Sequence, residues 1–137
     1  MPNLFYFDTA IWIDFFEKRE ERGEKALKLI IKILIRKDII LYSDLVTEEL
    51  KGMGYKQNDI YEIFKIVKPD SIRKIHVYKK QLGDAKKLAF ERDIPKRDVL
   101  HAMLARDNNA ILITRDWHFQ KIKDISIPHL PEEFIES

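Results

Sequence analysis

The chain has 137 residues, 45% of them apolar and 35% charged, with four Gly, five Pro and no Cys. That length suits one compact domain over residues 1–137, and the composition excludes disordered, low-complexity and collagen-like classes; without Cys there are no disulfides, thiolate metal sites or cysteine nucleophiles. The formal net charge of +2 hides an asymmetry, because Lys65 to Arg97 holds eight Lys and three Arg against Asp70, Asp84, Glu91 and Asp93, which leaves the rest of the chain acidic.

Such asymmetry suits a polyanion held on a basic surface beside an acidic site, and it suits solvated helices equally well. The start, Met1 to Asp8, lacks a basic segment and meets an acid too early for a signal peptide. The longest apolar stretch, Ala26 to Ile35, is interrupted by Lys28 and Lys32, so no membrane span is expected and the cytoplasm is the default compartment. Twenty Ile, 17 Lys and 11 Glu against three Gln and four Asn fit a thermophile source and carry no functional information.

In chain order, Leu4–Phe7 reads as a strand, and Thr9 can cap a helix carrying Ile11, Trp12, Phe15 and Phe16. Glu24 to Arg36 reads as a helix with a narrow polar stripe of Lys25, Lys28, Lys32 and Arg36. A second strand, Ile39–Tyr42, is followed by a helix capped by Asp44 that runs through Leu50 and ends at Gly52. Asn58 caps a segment through Val67, Ile72–Val77 is the weakest strand, and a helix covers about Tyr78 to Glu91. Pro95 then leads into a helix over Asp98–Arg106, a strand at Ala110–Ile113 and a short turn from Pro131. Continuous apolar strands alternating with helices predict a three-layer α/β sandwich whose central, mostly parallel sheet is flanked by helices.

Ligands of open parallel sheets bind beyond the carboxyl ends of the strands. Here the strands run into Asp8-Thr9, Ser43-Asp44 and Thr114-Arg115-Asp116. The helix from Asp98 spans about 15 Å at ~1.5 Å per residue, close to the length of the strand that follows it, so Asp98 is expected beside Asp116. In the helix after the second strand, Leu45, Val46, Glu49 and Leu50 share an inward face while Glu48 turns outward. Two like charges 4 Å apart repel by about 4 kcal/mol at an effective dielectric near 20, and no Lys or Arg stands obviously among Asp8, Glu49, Asp98 and Asp116. A divalent cation is the natural remedy; oxygen ligands favour Mg²⁺ or Mn²⁺, and the chemistry expected is phosphodiester hydrolysis.

At Phe7-Asp8-Thr9-Ala10, Ser43 with Glu49-Leu50 and Gly52, Asp98-Val99-Leu100-His101-Ala102 and Thr114-Arg115-Asp116-Trp117-His118-Phe119, the sequence resembles PIN-domain ribonucleases, particularly the VapC-type toxins of VapBC toxin–antitoxin systems. The four stretches occur in order from Leu4 to Phe119. The resemblance implies a PIN-like fold, a Mg²⁺- or Mn²⁺-dependent endoribonuclease acting on single-stranded or structured RNA, a homodimer, and inhibition by a cognate antitoxin. It makes Asp8, Glu49, Asp98 and Asp116 the acidic, metal-binding quartet, with Thr114 supporting it. Residues 55–78 match no pattern of use.

Each acid also has an ordinary reading: Asp8, Asp98 and Asp116 as helix or turn caps, Glu49 as interchangeable with Glu48 by one residue of slip. His76, His101, His118 and His129 lack metal-ligand spacing and read as packing or surface residues. Lys96, Arg97 and Arg115 are candidates for RNA-backbone contacts. Trp12, Phe15 and Phe16 with the helix Glu24–Arg36 are expected to form a groove for an antitoxin segment or a second subunit. No GxSxG elbow, Walker loop or HExxH occurs. The alternatives are a PIN-like module that binds RNA or a partner without cutting, and a haloacid-dehalogenase-like phosphatase, which would need a second Asp where Ala10 stands.

Overall fold

The structure is a computed structural model that describes residues 1–67 and 69–135. Five strands, β1 (Leu4–Phe7), β2 (Ile39–Ser43), β3 (Ile72–Ile75), β4 (Ile111–Ile113) and β5 (Pro128–His129), form one sheet in the order β3-β2-β1-β4-β5. Every neighbouring pair is parallel. The flanking helices are α1 (Thr9–Phe16), α2 (Glu20–Arg36), α3 (Asp44–Gly52), α4 (Gln57–Lys65), α5 (Lys79–Arg92) and α6 (Lys96–Asp107). This is the expected α/β sandwich, with the parallel character complete.

Phe5, Tyr6 and Phe7 of β1, with Ile40, Leu41, Leu112 and Ile113, are almost wholly buried. Consecutive buried residues are what strands covered on both faces require. The chain moves outward from β1 through β2 to β3, then crosses back over α5 and α6 to place β4 on the other side of β1. The order of winding therefore reverses between β1 and β4, where an open α/β sheet forms its ligand crevice. Asp8 N–H donates to the Ile113 carbonyl at 3.1 Å and closes that pair just before the strands end.

Several boundaries differ from the sequence expectation. Asp8, not Thr9, caps α1, its carboxylate accepting from Ile11 N–H at 3.2 Å. Ser43 precedes α3 as its cap residue, and Asp44 is the first helical position, paired with Lys74 at 2.7 Å. Likewise α6 starts at Lys96, so Asp98 lies in its first turn rather than at the cap. α2 begins at Glu20, four residues before Glu24, because Glu20 and Glu21 favour the positive end of the helix dipole. β3 stops at Ile75, and β5 is an addition to the expected strands; it is two residues long and contains Pro128, too short for any period to reveal.

The expected groove is corrected as well. Trp12 and Phe15 are buried in the core, Trp12 edge-on to Phe64 at 4.9 Å between centroids, while half-buried Phe16 packs on Tyr55. What α2 turns to solvent is an apolar stripe, Leu27, Ile31 and Ile35, at i, i+4, i+8. Among the described residues no helix is long and apolar enough to cross a membrane.

Candidate metal centre at the β1–β4 edge

The residue after β1 and the residue after β4 meet directly. Thr114 Oγ1 donates to Asp8 Oδ2, and the same hydroxyl oxygen accepts from Asp116 N–H at 3.1 Å. One hydroxyl thus holds the carboxylate of one strand end and the backbone of the turn after the other. Asp116 is in turn fixed by its own neighbours downstream: Oδ1 accepts from His118 N–H at 2.9 Å and lies 2.7 Å from His118 Nδ1.

Asp98 reaches the same place from the first turn of α6. One donor atom from each of Asp98, Asp116 and His118 lies within 4.8 Å of the others, a spacing a single cation can bridge. Asp8 and Glu49 are not part of that trio: Asp8 adjoins Asp116 through Thr114, and Glu49 is held by other partners. The Glu49 carboxylate is engaged on one oxygen: Oε1 accepts from Thr9 Oγ1 at 2.8 Å and lies 2.5 Å from His101 Nε2. Its other oxygen, Oε2, stands 3.8 Å from Arg97 Nε. The reading that no cation neighbours the acids is therefore corrected for Glu49. Glu48 is exposed and Glu49 half-buried, as the face of α3 requires.

The electrostatics follow from burial. Desolvation pushes the Asp8 carboxyl up to about 6, against the pull of the Thr114 hydrogen bond, His101 and the Ile11 N–H. Asp98 is raised for the same reason, with the Asp116 charge adding to it. Burial acts in the same direction on Glu49, but hydrogen bonds from His101 and Thr9 and the charge of Arg97 outweigh it, and its pKa is lowered. A desolvated carboxylate recovers from a bound cation the stabilisation it lost with its water, which makes it a ready cation ligand. The donor set of carboxylates and one imidazole fits a divalent ion.

Two histidines whose spacing suggests only packing or surface roles belong to this neighbourhood. His118 follows Asp116 by two and joins the trio; His101 follows Asp98 by three on one face of α6 and is buried. The helical spacing was the available signal for His101. Arg115 makes a bidentate ion pair with Glu132, Nη1 to Oε2 at 3.0 Å, while Lys96 and Arg97 are exposed.

Fold and site together define a parallel α/β domain with a carboxylate cluster at its topological switch point. Residues 5–125 match the PIN domain family, and the chain belongs to that family. Among solved structures it is similar to VapBC-1 of nontypeable Haemophilus influenzae (21% identity, TM-score 0.66, covering 94% of this chain and 98% of that one). Similar too are VapBC2 of Rickettsia felis bound to a promoter DNA fragment (21% identity, TM-score 0.65, covering 93% and 98%) and a toxin–antitoxin complex of Klebsiella pneumoniae (19%, 0.59, covering 93% and 97%). No curated protein matches the sequence.

Proposed function

We propose that this protein is a metal-dependent endoribonuclease, the VapC-type toxin of a toxin–antitoxin pair, with residues 1–137 acting as one PIN-like domain in the cytoplasm. The observation that carries the reading is the meeting of Asp8, Thr114, Asp98, Asp116 and His118 where the winding of the sheet reverses. Asp98, Asp116 and His118 would hold a divalent ion, with Asp8 and Glu49 at its margin; the imidazole favours Mn²⁺ over Mg²⁺ more than an all-oxygen set would. Such an ion lowers the pKa of bound water and offsets charge developing on a phosphodiester. Thr114 keeps Asp8 and Asp116 in fixed relation, so little reorganisation is needed when substrate arrives. Exposed Lys96 and Arg97 meet the RNA backbone.

Incubation of the purified protein with end-labelled single-stranded RNA tests this. Internal cuts are expected with Mn²⁺ or Mg²⁺, none with EDTA, and a loss of about 100-fold or more in Asp8→Asn, in the range seen when a charge-stabilising group is removed from an active site. Metal-independent binding without cuts would replace the nuclease by a binding module.

The partner proposed is a cognate antitoxin, with a second copy of the chain forming a homodimer. Two observations support a partner: the similar structures named above are toxin–antitoxin complexes, and α2 leaves Leu27, Ile31 and Ile35 uncovered.

A further inference from the structure

A buried histidine costs stability unless both ring nitrogens are bonded, and an aliphatic residue would fill the same place in α6 more cheaply. At His101 both nitrogens are engaged. Nε2 lies 2.5 Å from Glu49 Oε1, and Nδ1 lies 2.7 Å from the Tyr6 hydroxyl, which is itself 2.9 Å from Ser43 Oγ. Tyr6 and Ser43 are fully buried and His101 nearly so. The chain of hydrogen bonds joins β2, β1, α6 and α3, and it ends on a carboxylate beside the candidate metal centre.

An ionised carboxylate only accepts, so the His101–Glu49 bond places a hydrogen on Nε2. Burial drives the Tyr6 pKa far upward, so the Tyr6 hydroxyl keeps its proton and links His101 Nδ1 to Ser43 Oγ. With Thr9 also donating to Oε1, that oxygen is saturated, and Oε2, 3.8 Å from Arg97 Nε, is the one left to turn toward a ligand.

We propose that His101 is a positioning residue: anchored through Tyr6 to Ser43, it locks Oε1 of Glu49 and leaves Oε2 as the oxygen turned toward the metal centre. The inference rests on the nuclease reading of the site. Outer-shell partners of this kind commonly change metal affinity by about 10- to 100-fold.

Mn²⁺ binding, followed through the electron paramagnetic resonance signal of the free aqua ion, reads the effect without any RNA. Tyr6→Phe and His101→Phe are expected to weaken Mn²⁺ binding about 10-fold or more, whereas His101→Gln, whose amide N–H can reach Glu49, recovers most of it. Tyr6→Phe removes a single oxygen and carries the test if His101→Phe fails to fold. In the metal-free protein a long-range ¹H–¹⁵N spectrum should show hydrogen on Nε2 of His101. Folded Tyr6→Phe binding Mn²⁺ as tightly as wild type, or no hydrogen on Nε2, would overturn the proposal. Wild type that binds no Mn²⁺ defeats the nuclease reading instead, and the histidine spectrum still judges the His101–Glu49 bond.

Discussion

Asp8 gains two hydrogen bonds and loses its water, and the loss is the larger effect: its pKa stands near 6 against an ordinary 3.8. A carboxyl whose pKa is raised on folding favours the folded state at low pH, where it is neutral. That contribution is complete below pH 3.8 and is lost as pH rises through 6. At about 1.4 kcal/mol per unit, the penalty above pH 6 is roughly 3 kcal/mol in metal-free protein. Asp98 adds to it with the same sign; Glu49, lowered, works the other way and favours folding above its unfolded value. Asp8→Asn should therefore raise metal-free stability at pH 7 by about 1–2 kcal/mol, the rest being offset by poorer geometry toward Thr114, and flatten the decline between about pH 4 and 6. Urea unfolding in EDTA across that range measures both. Added Mn²⁺ should then stabilise wild type more than the variant, since only an ion bound to the native state shifts unfolding. Asp8 was readable because an acid placed directly after a buried strand must meet a donor or a cation at the sheet's edge, and Glu49 because an acid on an apolar helix face demands a partner. What escaped was the partner itself: spacing along a chain does not reveal that a buried histidine from α6 and a threonine from α1 converge on it.

At the scale of elements, the junction of α1 and α2 shows where periodicity stops being informative. A stripe of Lys25, Lys28, Lys32 and Arg36 marks the body of α2, but its first turn is set by charge and by a tight reversal at Lys18 and Glu20, both with positive φ (52° and 45°). Gly23 sits in that first part of the helix, buried against the end of α1. A Cβ there would lie 2.6 Å from the Asp14 carbonyl oxygen and 2.9 Å from the Lys18 carbonyl carbon, both backbone atoms that cannot rotate aside. Gly23→Ala must push α1 and α2 apart, and overpacking of this kind costs about 1–3 kcal/mol. Gly52 and Gly83 have open space, so Gly83→Ala, inside α5, should stabilise by up to about 1 kcal/mol instead. Thermal melts of the two variants should move in opposite directions. The same limit explains β5: strands of two residues are recognised by the ladder they join, here Ile113 opposite His129, and not by their own pattern.

For the whole molecule, topology and charge act together. The switch between β1 and β4 gathers acids from the ends of β1 and β4 and from α6 at one edge, a convergence that the residues following each strand and the matched lengths of α6 and β4 made predictable. The basic segment from Lys65 to Arg97 ends beside those acids, where exposed Arg97 comes within 3.8 Å of Glu49. An anionic substrate drawn to a carboxylate cluster needs such cations at its rim, because the uncompensated acids would repel it. If Lys96 and Arg97 meet RNA phosphates, replacing both by Gln should weaken single-stranded RNA binding at low salt and lower the slope of log affinity against log salt concentration by roughly 0.7 per contact removed. Fluorescence-anisotropy titrations over a salt series, in EDTA and the Asp8→Asn background, give that slope directly. A parallel drop in affinity with the slope unchanged would mean that the two residues act through Glu49 and not through the RNA backbone.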